Sequence, residues 1–104
     1  MNHIFIYITN PSKTVAKKIA KMLLQKKLIA CANIFPIDSM YWWQGKIVEE
    51  REFTLLGKTA DKYFPAIKRE IKAIHPYKIP CITKIAAEPN QKYQKWLSGQ
   101  LEKP

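Results

Sequence analysis

A chain of 104 residues is long enough for one hydrophobic core and too short for two, so we expect a single domain over residues 1–104. The formal charge of +10 suggests a polyanionic partner, but the 18 lysine and arginine residues are dispersed, so we do not expect nucleic-acid binding. The first residues lack the pattern of a signal peptide and no apolar run is long enough to span a bilayer, which predicts a cytoplasmic protein without membrane contact.

The first part of the chain predicts a strand followed by a helix. Residues 3–9 alternate isoleucines with aromatic residues and are apolar on both faces, as is typical of a central strand. Either Asn10 or Ser12 suits the N-cap of a following helix, and Pro11 suits its first turn. The helix is predicted to continue to about Lys27. Its apolar stripe comprises Val15, Ala16, Ile19, Ala20, Met22 and Leu23.

A long hairpin follows the helix. Residues 28–43 have strand character, and Gln44-Gly45 predicts a two-residue turn into a returning strand over residues 46–58, which places Trp43 opposite Lys46. Three residues interrupt the first strand in a way that we expect a bulge or a bend to absorb: Asn33, Pro36 and Asp38.

The length of this hairpin predicts an assembly. Two strands of about 13 residues extend roughly 44 Å, whereas a 100-residue domain is about 34 Å across. The hairpin then overhangs its own domain and exposes Tyr41, Trp42 and Trp43, a large apolar patch for a monomer. We therefore predict a homo-oligomer with the hairpins at the interface. The alternative is a strongly bent hairpin that folds onto its own sheet.

The remaining elements complete an α+β pattern. A helix that begins at residues 59–61 must end by His75, because Pro76 follows. Its apolar stripe comprises Phe64, Ile67, Ile71 and Ile74. Residues 79–87 predict a last strand, and residues 91–101 predict a short closing helix whose inward side chains are Tyr93, Trp96 and Leu97. The order β-α-β-β-α-β with right-handed crossovers predicts a ferredoxin-like sandwich with two helices on one face of a four-stranded sheet.

Two cysteines, Cys31 and Cys81, lie far apart in sequence and lack the spacing of a disulfide framework or a zinc site. Their apolar neighbours predict buried free thiols, with a role as soft ligands for Cu(I) as the alternative.

Several blocks of the sequence resemble, in order and at matching spacing, the CutA divalent-cation tolerance family. They are LIACANIFP (residues 28–36), SMYWWQGKI (39–47), EFTLLGKT (52–59), HPYKIP (75–80) and YQKWL (93–97). The most specific parts of the resemblance are the Ser-x-Tyr-x-Trp-x-Gly pattern from Ser39 to Gly45 and the His-Pro-Tyr at His75–Tyr77.

The resemblance implies a ferredoxin-like fold assembled as a trimer, like that of the PII signalling proteins. It also implies a role in tolerance of copper or another divalent cation, without an enzymatic activity. The copper ligands proposed for the family fall on Ile8, Ile74 and His75 of this chain, so only His75 remains as a metal ligand. No Gly-rich phosphate loop or Gly-x-Ser-x-Gly motif indicates an enzyme. The alternative function is a PII-like scaffold that docks an unidentified protein partner, with metal binding incidental.

We predict one candidate site, a cleft shared between subunits. Aromatic walls with a few convergent polar groups are typical of small-ligand pockets. The predicted members are Tyr41, Trp43, Glu52, Lys58, His75 and Tyr77. For Glu52 and Lys58 the alternative is an ion pair buried at the interface, and for His75 it is a hydrogen bond to the last carbonyl groups of its helix.

Overall fold

The computed structural model describes residues 2–101 and has the predicted order of elements. They are β1 (His3–Asn10), α1 (Lys13–Gln25), β2 (Cys31–Trp43), β3 (Lys46–Ala60), α2 (Phe64–Ile74), β4 (Ile82–Ala86) and α3 (Gln91–Gln100). All strand pairs are antiparallel, and the order in the sheet is β2-β3-β1-β4. The predicted ferredoxin-like α+β fold is therefore confirmed.

Alternation along β1 gives the sheet two different faces. The isoleucines of β1 are at most 4% exposed and belong to the core formed with α1 and α2, on what we call the helix face. The intervening residues, such as Phe5 and Tyr7, point to the opposite face, which we call the open face. The α3 helix covers only one end of the open face, where Lys58 of β3 approaches the ring of Tyr93.

Helix α1 begins where a side chain accepts a hydrogen bond from one of the free amide groups of the first turn. Of the two candidate caps, Ser12 is the N-cap, and its Oγ accepts a hydrogen bond from the Val15 amide at 3.1 Å. The stripe of α1 packs as predicted, with four residues fully or almost fully buried: Ala16, Ile19, Ala20 and Leu23.

The long hairpin is more regular than predicted. Pairing of β2 with β3 runs without a break from the Cys31–Lys58 pair to the Trp43–Lys46 pair, so the expected bulge or bend is absent from these strands. Pro36 is accommodated because β2 is an edge strand, where one side of the backbone needs no partner. Gln44 and Gly45 both have positive φ, 49° and 78°, as in the type I′ turns that join two-residue hairpins.

The tip of the hairpin is exposed, as the length argument predicted. The described chain measures 44 × 26 × 21 Å, and the pairing of β2 with β3 continues to the tip without folding back onto the sheet. On the helix face of the tip, Met40, Trp42 and Ile47 are 69%, 71% and 60% exposed. A patch of this kind marks an interaction surface.

Several local predictions were wrong. Cys31 is only partly buried and Cys81 is exposed, because both lie on the open face or near its edge, away from the core. Leu97 of α3 is fully buried, as predicted, but Trp96 is 46% exposed rather than inward because it lies about 100° away from Leu97 around the helix. Strand β2 begins three residues later than predicted, and β4 is shorter at both ends.

None of the helices described is long and apolar enough to cross a membrane.

Candidate functional site

A cleft of about 820 Å³ lies beside the open face of the hairpin. Its walls come from β1, β2 and β3 and from the segment between α2 and β4. Four of the predicted site residues line it: Tyr41, Trp43, Glu52 and Tyr77.

The register of the hairpin explains why these side chains meet. In a strand, every second residue points to the same face, so Tyr41 and Trp43 share the open face. Glu52 pairs with Ile37 and Glu50 pairs with Ser39, so both carboxylates point to the same side as the two rings. The spacing by two residues thus converts a local sequence pattern into one wall of a cleft.

Two phenol hydroxyls donate hydrogen bonds to these carboxylates. The Tyr77 hydroxyl donates to Oε2 of Glu52 at 2.6 Å, and the Tyr41 hydroxyl donates to Oε1 of Glu50 at 2.5 Å. The hydrogen bond to Glu50 is the main cause that raises the pKa of Tyr41 to about 12. Burial, followed by the bond to Glu52, raises the pKa of Tyr77 even more. Both phenols therefore stay protonated as donors across the physiological pH range.

His75 lies behind this cleft and holds the segment that carries Tyr77. Its Nδ1 accepts a hydrogen bond from the Tyr77 amide at 3.1 Å, so its Nε2 carries the proton. That nitrogen faces the Thr9 carbonyl oxygen at 3.0 Å and Oδ1 of Asn10 at 3.2 Å. Burial lowers the pKa of His75, against the opposing effects of the Thr9 carbonyl and Glu52. Both ring nitrogens are thus occupied in the neutral form, at the end of β1 rather than at the carbonyl groups of α2.

Asn10 anchors the other side of this contact. Its side chain is fully buried, and Nδ2 donates to the carbonyl oxygens of Ile8 at 3.3 Å and Phe53 at 3.1 Å. Hydrogen bonds therefore connect Asn10 through His75 and Tyr77 to Glu52. The sequence suggested Asn10 only as a helix cap, and no local signal indicates its contact with a residue 65 positions away.

Lys58 is the predicted site residue that the fold places elsewhere. It shares the open face with Glu52, but it lies six residues along β3, about 20 Å away at ~3.4 Å per residue. Its Nζ lies 5.7 Å from the centre of the Phe5 ring and 5.5 Å from that of Tyr93. Lys58 therefore contributes a cation–π contact beneath α3 and does not pair with Glu52 within one chain.

The donor set in one chain does not fit a metal site. Among residues 2–101, no group of three or more histidine, cysteine, aspartate and glutamate side chains is placed to hold a metal ion.

Two residues that line the cleft were not predicted from the sequence: Glu50 and Tyr7. The sequence could have predicted Glu50, because it lies two residues from Glu52 on the same strand and so shares its face.

The fold and cleft define a class before any comparison: a ferredoxin-like sandwich with an overhanging hairpin and an aromatic, acidic cleft at its base. The profile of the family described as "CutA1 divalent ion tolerance protein" matches residues 4–100, almost the whole chain. The chain belongs to this family.

Individual relatives match this chain over at least nine-tenths of their own length. The divalent-cation tolerance protein CutA of Archaeoglobus fulgidus is 48% identical over 101 residues, which cover 96% of this chain and 99% of that protein. The protein of the same name from Thermus thermophilus is 47% identical over 94 residues, covering 88% and 91%. The solved structure of the A. fulgidus protein, described as periplasmic, superposes with a TM-score of 0.93 at 46% identity and covers 96% and 99% of the two chains.

Proposed function

We propose that this protein is a non-enzymatic divalent-cation tolerance protein that works as a homotrimer. In this proposal, clefts between subunits bind copper, another divalent cation or a small ligand. The observation that carries the proposal is the family match over residues 4–100, together with a cleft at the base of the hairpin that four of the predicted site residues line.

The exposed hairpin supports the proposed assembly. The apolar side chains at its tip would be covered by another copy, and strands β2 and β4 leave unpaired backbone groups at the two edges of the sheet. The number three comes from the family resemblance. Multi-angle light scattering should give the mass of three chains at micromolar concentration, and the mass of one chain would contradict the proposal.

A metal ion bound in this cleft would need donors from more than one subunit. Glu52 and Cys81 line the cleft of one chain, and His75 lies behind it. For His75 to bind a metal, Nδ1 would have to release the Tyr77 amide, or Nε2 would have to lose its proton and its contacts at the end of β1. His75 as a metal ligand therefore stays a prediction.

Calorimetry with Cu(II), Cu(I) and Zn(II) tests the metal part of the proposal. If His75 is a ligand, His75→Ala should weaken binding by at least about tenfold relative to wild type. Equal, weak binding by both proteins would remove His75 from the site. In cells, deletion of the gene should increase sensitivity to copper, and re-expression of the wild-type chain should restore growth.

We propose the cytoplasm as the compartment, although the related A. fulgidus structure is described as that of a periplasmic protein. Both cysteines are free, as is usual in a reducing compartment. Cell fractionation with antibody detection tests this location.

The scaffold alternative gains support from the exposed Trp42, which lies on the helix face, does not line the cleft and offers a surface to a partner protein. Affinity capture with wild type and Trp42→Ala separates it from the metal-binding proposal.

A further inference from the structure

Glu52 is a buried carboxylate without a cation. Its side chain lines the cleft and is only 5% exposed. Oε2 accepts the Tyr77 hydroxyl, whereas Oε1 accepts no hydrogen bond from any described residue. The ion pairs within residues 2–101 join Lys26 to Glu70 and Lys84 to Asp61, and neither pair touches the cleft. Among the described residues no buried side-chain oxygen lacks a hydrogen-bond partner, so Oε1 is not sealed in the core but reaches solvent in the cleft. Charged groups are rarely buried unless they are paired, so this oxygen is free to accept a cationic ligand.

The cleft is acidic, whereas the chain as a whole is strongly basic. Two carboxylates point into it, those of Glu50 and Glu52, whereas the side chain of Asp38 lies on the opposite face of the hairpin. One ammonium group, that of Lys78, belongs to a residue that lines the cleft. The whole chain, in contrast, carries a formal charge of +10. A concave surface of one sign attracts ligands of the opposite sign, so the cleft favours cations.

The walls of the cleft suit an organic cation. Tyr7, Tyr41, Trp43 and Tyr77 present aromatic rings around the carboxylates. Ammonium and guanidinium groups bind to aromatic faces as well as to carboxylates, and this attraction strengthens as water is excluded. A volume of about 820 Å³ is far larger than a single ion needs and falls in the range of small-molecule sites.

We infer that the cleft binds a small organic cation, a primary ammonium or guanidinium group on a short apolar chain, with Glu52 as its main counter-charge. In this arrangement the cation contacts Oε1 of Glu52, and the aromatic rings enclose its stem. The inference rests on the proposed function in one respect, that this cleft is a binding site. It differs in the ligand class, because the donor set of one chain does not fit a metal ion.

Calorimetry with agmatine, which carries a guanidinium and an ammonium group, tests the inference on the intact wild-type assembly. Butyramide serves as a neutral probe and glutarate as an anionic one. Glu52→Gln removes the charge but keeps an oxygen that accepts the Tyr77 hydroxyl. The matched control is Glu49→Gln, on the same strand but on the helix face and exposed.

We expect saturable agmatine binding by wild type, with no binding of glutarate and little of butyramide. Glu52→Gln should weaken agmatine binding by about tenfold or more, the effect of losing a bond to a charged group. Glu49→Gln should leave binding within about twofold of wild type, as for a remote surface charge. Light scattering should show the same assembly for all three proteins.

Three results would overturn the inference: no saturable binding of agmatine at millimolar concentration, equal binding of agmatine and butyramide, or equal loss in the two glutamine variants. A trimer that binds Cu(II) or Zn(II) but not agmatine would overturn this inference and leave the proposed function standing. A monomer that binds agmatine through Glu52 would support the inference and contradict the proposed assembly.

Discussion

Replacing Tyr77 with phenylalanine isolates one hydrogen bond at the centre of the candidate site. The change removes the hydroxyl that donates to Glu52 at 2.6 Å and keeps the ring, which lies 4.8 Å from the His75 ring between centroids. The Tyr77 backbone amide also keeps its bond to Nδ1 of His75. Any loss of stability therefore reports on the carboxylate of Glu52, which is 5% exposed.

The expected loss follows from burial and charge. A hydrogen bond to a charged group contributes about 1.5–3 kcal/mol, and partial exposure of Tyr77 favours the lower end, about 1.5 kcal/mol. In a domain of this size each kcal/mol shifts the melting temperature by about 4–8 °C, so Tyr77→Phe should melt about 6–12 °C below wild type. Urea unfolding at one fixed chain concentration measures the free energy directly, because assembly makes stability depend on concentration.

Tyr41→Phe is the matched control for this experiment. It removes an equivalent phenol that donates to Glu50, but both partners are exposed. We expect a clearly smaller loss, because water replaces the bond at an exposed site. In addition, Tyr77→Phe should cost less in a Glu52→Gln background, where no buried charge is left unpaired. Equal losses in the two phenylalanine variants, or the same loss with and without the Glu52 charge, would refute the reasoning.

Three further predictions concern the surroundings of the cleft. Burial lowers the pKa of His75 below its ordinary 6.5, so the folded chain binds this proton less readily than the unfolded chain, and stability should fall as pH falls below 6.5. His75→Gln should show a flatter pH dependence of unfolding, and an identical slope would exclude His75 as the cause. Asn10→Ala should lower the free energy of unfolding by about 2 kcal/mol or more in urea titrations, because buried carbonyl groups lose their donor; an unchanged value would contradict this. Trp43→Ala should weaken assembly or ligand binding more than Trp42→Ala in light scattering and calorimetry, and the reverse order would overturn the assignment of the inter-subunit cleft to the open face.

Much of the fold could be predicted from local patterns. The alternating isoleucines of β1, the apolar stripes of α1 and α2 and the Gln44-Gly45 turn each depend on neighbours within a few residues. The register of the hairpin follows from its turn, because a two-residue loop determines which residues pair. The placement of Tyr41 and Trp43 on one face follows in turn from that register.

The sequence could not predict which residues of the candidate site touch. Six residues along one predicted strand already separate Glu52 from Lys58 by about 20 Å within a chain. Only the structure shows that Lys58 lies against the rings of Phe5 and Tyr93 beneath α3. The exposure of Cys81 likewise depends on where the segment after Pro76 crosses the sheet. Apolar neighbours in sequence do not report on that path.

The sequence by itself determined the elements, their order and the two faces of the hairpin, because these depend on periodicity and on one turn. Only the tertiary structure decided the tautomer and hydrogen-bond partners of His75, and the burial of Glu52 against the Tyr77 hydroxyl. The contacts of Asn10 with His75 and of Tyr77 with Glu52 join segments that are 65 and 25 residues apart. Such contacts form only when the segment after α2 packs across the end of β1, and they leave Oε1 of Glu52 accessible from the cleft.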